Sequence, residues 1–180
     1  MIQRLIPLLV FAALGVLLFV GVRMSGDPNR DALPSPLIGR QAPAFELQAL
    51  HEPDRAVAEA DLRGAPYLLN VWGSWCPACR DEHPVIERLA ESGRIRVVGF
   101  NWKDEREDAL RWLRQFRDPY DEIVVDQVGR VAIDWGVYGA PETFLVDAEG
   151  VVRWKHVGPM TDRIVQQQLL PMLAELEAGR

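Results

Sequence analysis

The feature that most restricts the fold is an apolar run over residues 67–72 (YLLNVW), followed three residues later by Cys76-Pro77-Ala78-Cys79 and then by a helical pattern. A run of that length, entered from Arg63-Gly64-Ala65-Pro66, reads as a buried strand. Beyond the cysteines, Val85, Ile86, Leu89 and Ala90 recur on one helix face until Gly93 ends the element. Strand, cysteine pair and helix thus follow directly, which predicts the first sulfur at a helix N-terminus. Unpaired N–H groups and the helix dipole favour negative charge there, so Cys76 should form a thiolate readily. Cys79, one turn further in, should be less open to solvent and placed to attack a mixed disulfide on Cys76. Pro77 suits the first turn, where its missing N–H has no helical partner to lose. Pro84 falls in the second turn and is expected to kink the helix.

Only two cysteines occur in the 180 residues. A disulfide scaffold would scatter more of them, and a structural zinc site would need four ligands where this stretch offers Cys76, Cys79 and at best His83. Covalent haem attachment fails because Arg80, not His, follows Cys79. Redox use of the pair remains, with no metal or cofactor expected. Glu82 and His83 stand three and four residues after Cys79, so either could face its side of the helix or form part of a solvated face. A carboxylate at Glu82 aimed at the pair would oppose thiolate formation and could carry the proton that Cys79 must lose. The net charge of -6, without a basic stripe, argues against nucleic acid as a partner.

Elsewhere, residues 41–50 read as extended, 95–100 (IRVVGF) as a second buried strand, and Ala109, Leu110, Trp112, Leu113 and Phe116 as one helix face. A short strand over 123–125, a helix over 128–135, a hairpin of 143–146 with 151–157, and a terminal helix over 164–176 complete the pattern. Pro171 should bend or shorten that last helix. Strands alternating with helices imply a parallel core sheet and the hairpin adds an antiparallel edge, giving an α/β fold with a mixed sheet.

Residues 5–22 are apolar apart from Gly and Pro7, about one bilayer core at ~1.5 Å per residue. No Ala-x-Ala-like site follows, which favours an uncleaved anchor over a signal peptide. Arg4 precedes the run while Arg23 and Arg30 follow it, so charge does not orient it. The expected organisation is an anchor over 1–24, a Pro- and polar-rich linker over 25–36 and one domain over 37–180.

The stretch Val71-Trp72-Gly73-Ser74-Trp75-Cys76-Pro77-Ala78-Cys79-Arg80-Asp81-Glu82-His83-Pro84 resembles the active site of thioredoxin-fold proteins of the DsbE/CcmG type, the thiol–disulfide interchange proteins of cytochrome c maturation. Gly99-Phe100-Asn101-Trp102-Lys103-Asp104 is similar to that family's Gly-x-Asn-Tyr-Lys-Asp, with Trp102 in place of Tyr. Gly136-Val137-Tyr138-Gly139-Ala140-Pro141-Glu142-Thr143-Phe144 matches its Gly-Val-x-Gly-x-Pro-Glu-Thr-Phe. The resemblance covers residues 37–176 and the N-terminal anchor. It implies a thioredoxin-like mixed sheet flanked by helices, with an N-terminal extension and a central αβ insertion between Asp104 and Asp126. It further implies Cys76 and Cys79 as the redox-active, disulfide-forming pair, with Trp75, Pro77 and Glu82 in support. Pro141 is implied to be a cis-proline facing the cysteines, Ala140 to offer its backbone to an extended substrate peptide, and Glu142 to lie beside that groove.

On this resemblance the expected activity is reduction of the disulfide in apocytochrome c Cys-x-x-Cys-His segments before haem attachment. The implied partners are apocytochrome c, a membrane thiol donor of the DsbD/CcdA kind and other cytochrome c maturation components. The implied location is the bacterial inner membrane, single-pass, with the domain in the periplasm. The competing readings are a reductase of the TlpA or ResA kind with another client, such as an oxidase copper site, and a non-catalytic apocytochrome holdase. Ala42-Pro43-Ala44-Phe45 hints at a peroxiredoxin, but that class needs Thr three residues before its reactive Cys, where Gly73 stands.

Overall fold

The structure, a computed structural model, describes residues 2–24 and 35–178, with side chains described for 10–21 of the first segment. The chain divides into two units at residues 33 and 34. The first contains one helix, α1 (Ile2–Met24). Among the described residues no helix is long and apolar enough to cross a membrane. The expected span over 5–22 falls partly on side chains outside that description, and most of the expected linker lies outside it as well.

In the second unit, the strands are β1 (Glu46–Ala49), β2 (Ala56–Ala58), β3 (Tyr67–Trp72), β4 (Arg96–Trp102), β5 (Glu122–Asp126), β6 (Glu142–Val146) and β7 (Val152–Val157). They form one sheet in the order β2-β1-β5-β4-β3-β6-β7. The centre, β5-β4-β3, is parallel, and both margins are antiparallel. This is the expected mixed α/β sheet. The strand β2 was not apparent in the sequence, because three residues (Ala-Val-Ala) are too short to show alternation.

The inner strand β3, next to the central β4, is buried on both faces and sorts its side chains by the two-residue period. Tyr67, Leu69 and Val71 join a core with Phe45, Leu62, Phe100, Trp135 and Phe144. From the other face, Leu68 packs with Val85, Ile86 and Leu89 of α2 (Pro77–Glu91) and with Ile164, Leu169 and Leu173 near the C-terminus. Trp72, further along the same face, packs with Ala109, Trp112 and Leu113 of α3 (Arg106–Phe116) and with both cysteines. Each large apolar side chain buried here contributes roughly 1.5–3 kcal/mol.

The helix expected over 128–135 is shorter, α4 (Arg130–Asp134), because the Asp126 carboxylate gathers the N–H groups of Gly129, Arg130 and Ala132 at 2.8–3.0 Å and starts the helix late. α2 runs on through Pro84 to Glu91. The final helix begins as α5 (Asp162–Ile164), passes through a π-helical turn over Val165–Leu169 and continues as α6 (Leu170–Ala178). The wider turn falls just before Pro171, where the ring would otherwise crowd the preceding turn. Pro171 therefore neither ends nor shortens the helix.

Candidate active site

Gly73, Ser74 and Trp75 connect β3 to α2, and their geometry is set from the segment that follows β4. Asp104 accepts from Ser74 N at 2.6 Å and Ser74 Oγ at 2.7 Å, and its Oδ2 also receives Asn101 Nδ2 at 2.9 Å. A Cβ on Gly73 would come within 2.5 Å of the Trp75 indole, so only glycine fits beneath that ring. Trp75 is 49% exposed, donates through Nε1 to the Trp102 carbonyl at 3.2 Å, and meets the Trp102 ring edge-on at 5.8 Å. The Trp that replaces the family's Tyr thus supports the Trp beside the reactive cysteine.

Cys76 is the N-cap of α2, its Sγ accepting from Cys79 N at 3.1 Å, which is the helix-start placement read from the sequence. The two sulfurs are joined as a disulfide with Cα atoms 5.3 Å apart. Cys76 is only 3% exposed and Cys79 2%, so in this oxidised form the expected contrast in exposure is small. The difference lies in what each faces. Cys76 lines an open groove of about 500 Å³ with Trp75, Pro77, Arg80, Trp112 and Phe116, and Cys79 is not among its lining residues.

Across from the pair, the Ala140–Pro141 peptide bond is cis, and Cys76 Sγ lies 3.4 Å from the Ala140 carbonyl. A reduced Cys76 could donate its S–H to that oxygen. Glu142 is not a groove contact. Its side chain is fully buried, accepts from Tyr138 N at 3.1 Å and Gly139 N at 3.2 Å, and pairs with Lys155 Nζ at 2.8 Å. It braces the loop before the cis-proline from below, because a charge with no exposure must be paired to be tolerated.

Glu82 points inward and is 2% exposed. Its Oε1 accepts from Asn70 Nδ2 at 2.8 Å and its Oε2 from Met160 N at 2.7 Å. Burial pushes its pKa up to about 7, and these two hydrogen bonds pull against that rise. It lies one helical turn beyond Cys79, and the carboxylate can hold or release a proton near neutrality. Asn70 also donates to Thr143 Oγ1 at 3.1 Å and accepts from Tyr120 Oη at 2.8 Å. His83, read above as a candidate for the solvated face, is buried as well. Its Nε2 lies 2.9 Å from the Phe116 carbonyl and 3.2 Å from that of Arg117, and its ring stands edge-on to Trp112 at 4.5 Å, tying α2 to the end of α3.

Asn70, Thr143, Tyr120 and Asp104 were not identified as site residues from the sequence. Asn70 carried a faint signal, a carboxamide in the middle of an otherwise apolar strand, which must find partners when buried.

A cysteine pair at the head of the helix that follows an inner strand of a mixed sheet, opposite a cis-proline, defines a thioredoxin-fold thiol–disulfide oxidoreductase. Residues 37–169 match the Redoxin family. The chain is 48% identical to the thiol:disulfide interchange protein DsbE of Xylella fastidiosa (strain Temecula1) over 95% of this chain and 88% of the relative. It is 46% identical to DsbE of Allochromatium vinosum over 99% and 96% of the two chains. A crystal structure assigned as DsbE from Chlorobium tepidum superposes with a TM-score of 0.65 at 29% identity, over 79% of this chain and 99% of that one. The chain belongs to the redoxins, and among them to the DsbE/CcmG-type thiol:disulfide interchange proteins.

Proposed function

We propose that the protein is a membrane-anchored reductase that opens the disulfide of apocytochrome c Cys-x-x-Cys-His segments in the periplasm. The observation that carries the direction is Glu82, a buried carboxylate titrating near neutrality on the helix that bears Cys79. The Cys76 thiolate attacks one client sulfur, forming a mixed disulfide and expelling the other client sulfur as a thiolate. Cys79 gives its proton to Glu82 and attacks Cys76 Sγ, expelling the second client sulfur and closing the Cys76–Cys79 disulfide. Two electrons pass to the client, whose thiolates take up protons from solvent. A membrane thiol donor of the DsbD/CcdA kind then returns two electrons to the protein.

The relatives named DsbE support this client, and so do the open groove beside Cys76 and the Ala140 carbonyl 3.4 Å from Cys76 Sγ, backbone that an extended peptide could meet. Anchoring in the inner membrane is supported by α1 together with the apolar run over 5–22.

The test is a strain carrying Cys76→Ser, in which apocytochrome c should accumulate oxidised and haem attachment should fail. Accumulation of an oxidised copper-site protein instead would select the TlpA/ResA reading, and full function of the variant would select the holdase. Release of the domain by alkaline carbonate would contradict the anchor.

A further inference from the structure

Tyr120 reaches the surroundings of Glu82 from the segment between α3 and β5, and that segment is tied to the sheet beside it. Tyr120 N donates to Asp118 Oδ1 at 3.0 Å. The next residue is bound to β4 twice: Asp121 N donates to the Val97 carbonyl at 2.9 Å, and Asp121 Oδ2 accepts from Val97 N at 2.8 Å. The Tyr120 ring stacks on Trp72 with centroids 5.6 Å and planes 13° apart. A Cβ on Gly99 would come within 2.9 Å of Trp72 Nε1 and 3.0 Å of the Tyr120 ring, so glycine in β4 leaves room for the stack. The hydroxyl is thereby held 2.8 Å from Asn70 Oδ1.

Asn70 Nδ2 in turn donates to Glu82 Oε1 at 2.8 Å and to Thr143 Oγ1 at 3.1 Å, which uses both of its hydrogens. Turning a carboxamide over exchanges its NH2 for its oxygen, so whatever fixes its orientation decides whether Glu82 meets a donor or an acceptor. Burial keeps the Tyr120 phenol protonated, and among the described residues the partner of its hydroxyl is Asn70 Oδ1. A turned amide would leave that O–H without its acceptor and set Oδ1 against Glu82 Oε1. A carboxylate is destabilised by such a neighbour, and only the protonated carboxyl can donate to it.

The charged groups around Glu82 are engaged elsewhere. Asp118 is paired with His51 at 2.7 Å, and Asp162, beyond the Met160 turn, with Arg88 at 2.7 Å. Lys155 and Glu142 pair on the opposite face of the sheet, and His83 is turned towards α3. His156, across the β6–β7 ladder from Thr143, is held towards its neutral form by burial.

We propose that Tyr120 is a positioning residue for the reaction: its hydroxyl fixes the Asn70 amide with Nδ2 towards Glu82, and so keeps that carboxylate ionised to accept the Cys79 proton. The inference rests on the reading of Glu82 as the proton acceptor.

The test uses the full chain in detergent, reduced, with carbon-13 carboxyl NMR to titrate Glu82. Tyr120→Phe removes the hydroxyl and keeps a ring stacked on Trp72. The Glu82 titration should rise by about one pH unit. Starting from about 7, the ionised fraction at pH 7 then falls from about one half to about one tenth. Resolution of a mixed disulfide on Cys76 should slow about fivefold, and its pH profile should move up by the same unit. Because the hydroxyl acts through the amide, Asn70→Ala should also raise the titration, and Tyr120→Phe added to it should shift neither reading further. In the unaltered chain the nitrogen-15 resonance of the Asn70 side-chain amide should move with the Glu82 midpoint, a readout that does not depend on a variant folding. An unmoved Glu82 titration in Tyr120→Phe, a full further shift in the Asn70→Ala background, or an Asn70 amide indifferent to Glu82 would overturn the role of Tyr120. A shifted titration with an unshifted resolution profile would instead overturn Glu82 as the proton acceptor, and with it the role of Tyr120 in the reaction.

Discussion

Asn70 on β3 and Glu82 on the cysteine helix meet at 2.8 Å, the amide Nδ2 donating to Oε1. The same amide holds Thr143, and its oxygen holds the Tyr120 hydroxyl, so one buried carboxamide joins strand, helix and insertion around the carboxylate. Burial raises the proton affinity of Glu82 more than these contacts lower it.

That balance makes stability depend on pH. An acid whose pKa rises from 4.5 to about 7 on folding binds more protons folded than unfolded, so stability is fullest below the unfolded value and falls as pH rises to about 7. The fall should amount to roughly 3 kcal/mol, since each pKa unit is worth about 1.4. Urea unfolding of the oxidised protein between pH 4.5 and 8 should show this decline, and Glu82→Gln should abolish it. A decline that persists in the variant would assign the effect to another group.

The attacking and resolving sulfurs should separate in alkylation. Cys76 caps the helix and lines the groove, whereas Cys79 lies a turn inside. At pH 7, Cys76 in Cys79→Ala should react with iodoacetamide at least about tenfold faster than Cys79 in Cys76→Ala, through its greater thiolate fraction and access. The reverse order would exchange the two roles.

Asp104 accepts three hydrogen bonds, two of them from Ser74. Asp104→Ala should cost about 2–4 kcal/mol in denaturant unfolding, because hydrogen bonds to a buried charge are the strong ones. Disulfide reduction should slow as well, as the turn before Cys76 loosens. A variant of unchanged stability would show that the loop holds itself.

Lys155 and Glu142 form a buried pair beneath the loop that ends at Pro141. Lys155→Met leaves Glu142 uncompensated and should destabilise by about 3–5 kcal/mol. Lys155→Met with Glu142→Gln should recover much of that loss, and a double variant as unstable as the single would contradict the pairing.

How much of this was legible in the sequence follows from range. The strand–cysteine–helix succession is local, and its periodicities place Cys76 at the N-cap and β3, β4 and α3 within a few residues of where they stand. The inward aim of Glu82 was open, because spacing from Cys79 gives a helix face but not what covers it. Glu142 was misplaced for a related reason. Its partner Lys155 comes from another strand, and only the β6–β7 ladder brings the two together. Asn70 and Thr143 lie 73 positions apart, polar residues in apolar strands that only the β3–β6 ladder makes neighbours.

The central claim is that the Cys76–Cys79 pair works as a reductant, and its reduction potential tests that most directly. A strong oxidant needs a very acidic thiolate to stabilise its reduced form, and a carboxylate at Glu82 one turn from Cys79 opposes that charge. Equilibration with glutathione redox buffers at pH 7, with free thiols counted by mass after alkylation, should place the potential nearer to ~-270 mV, the value of thioredoxin, than to ~-120 mV, that of the oxidant DsbA. A value above about -180 mV, the level of protein disulfide isomerase, would make the protein an oxidase or isomerase and contradict the account.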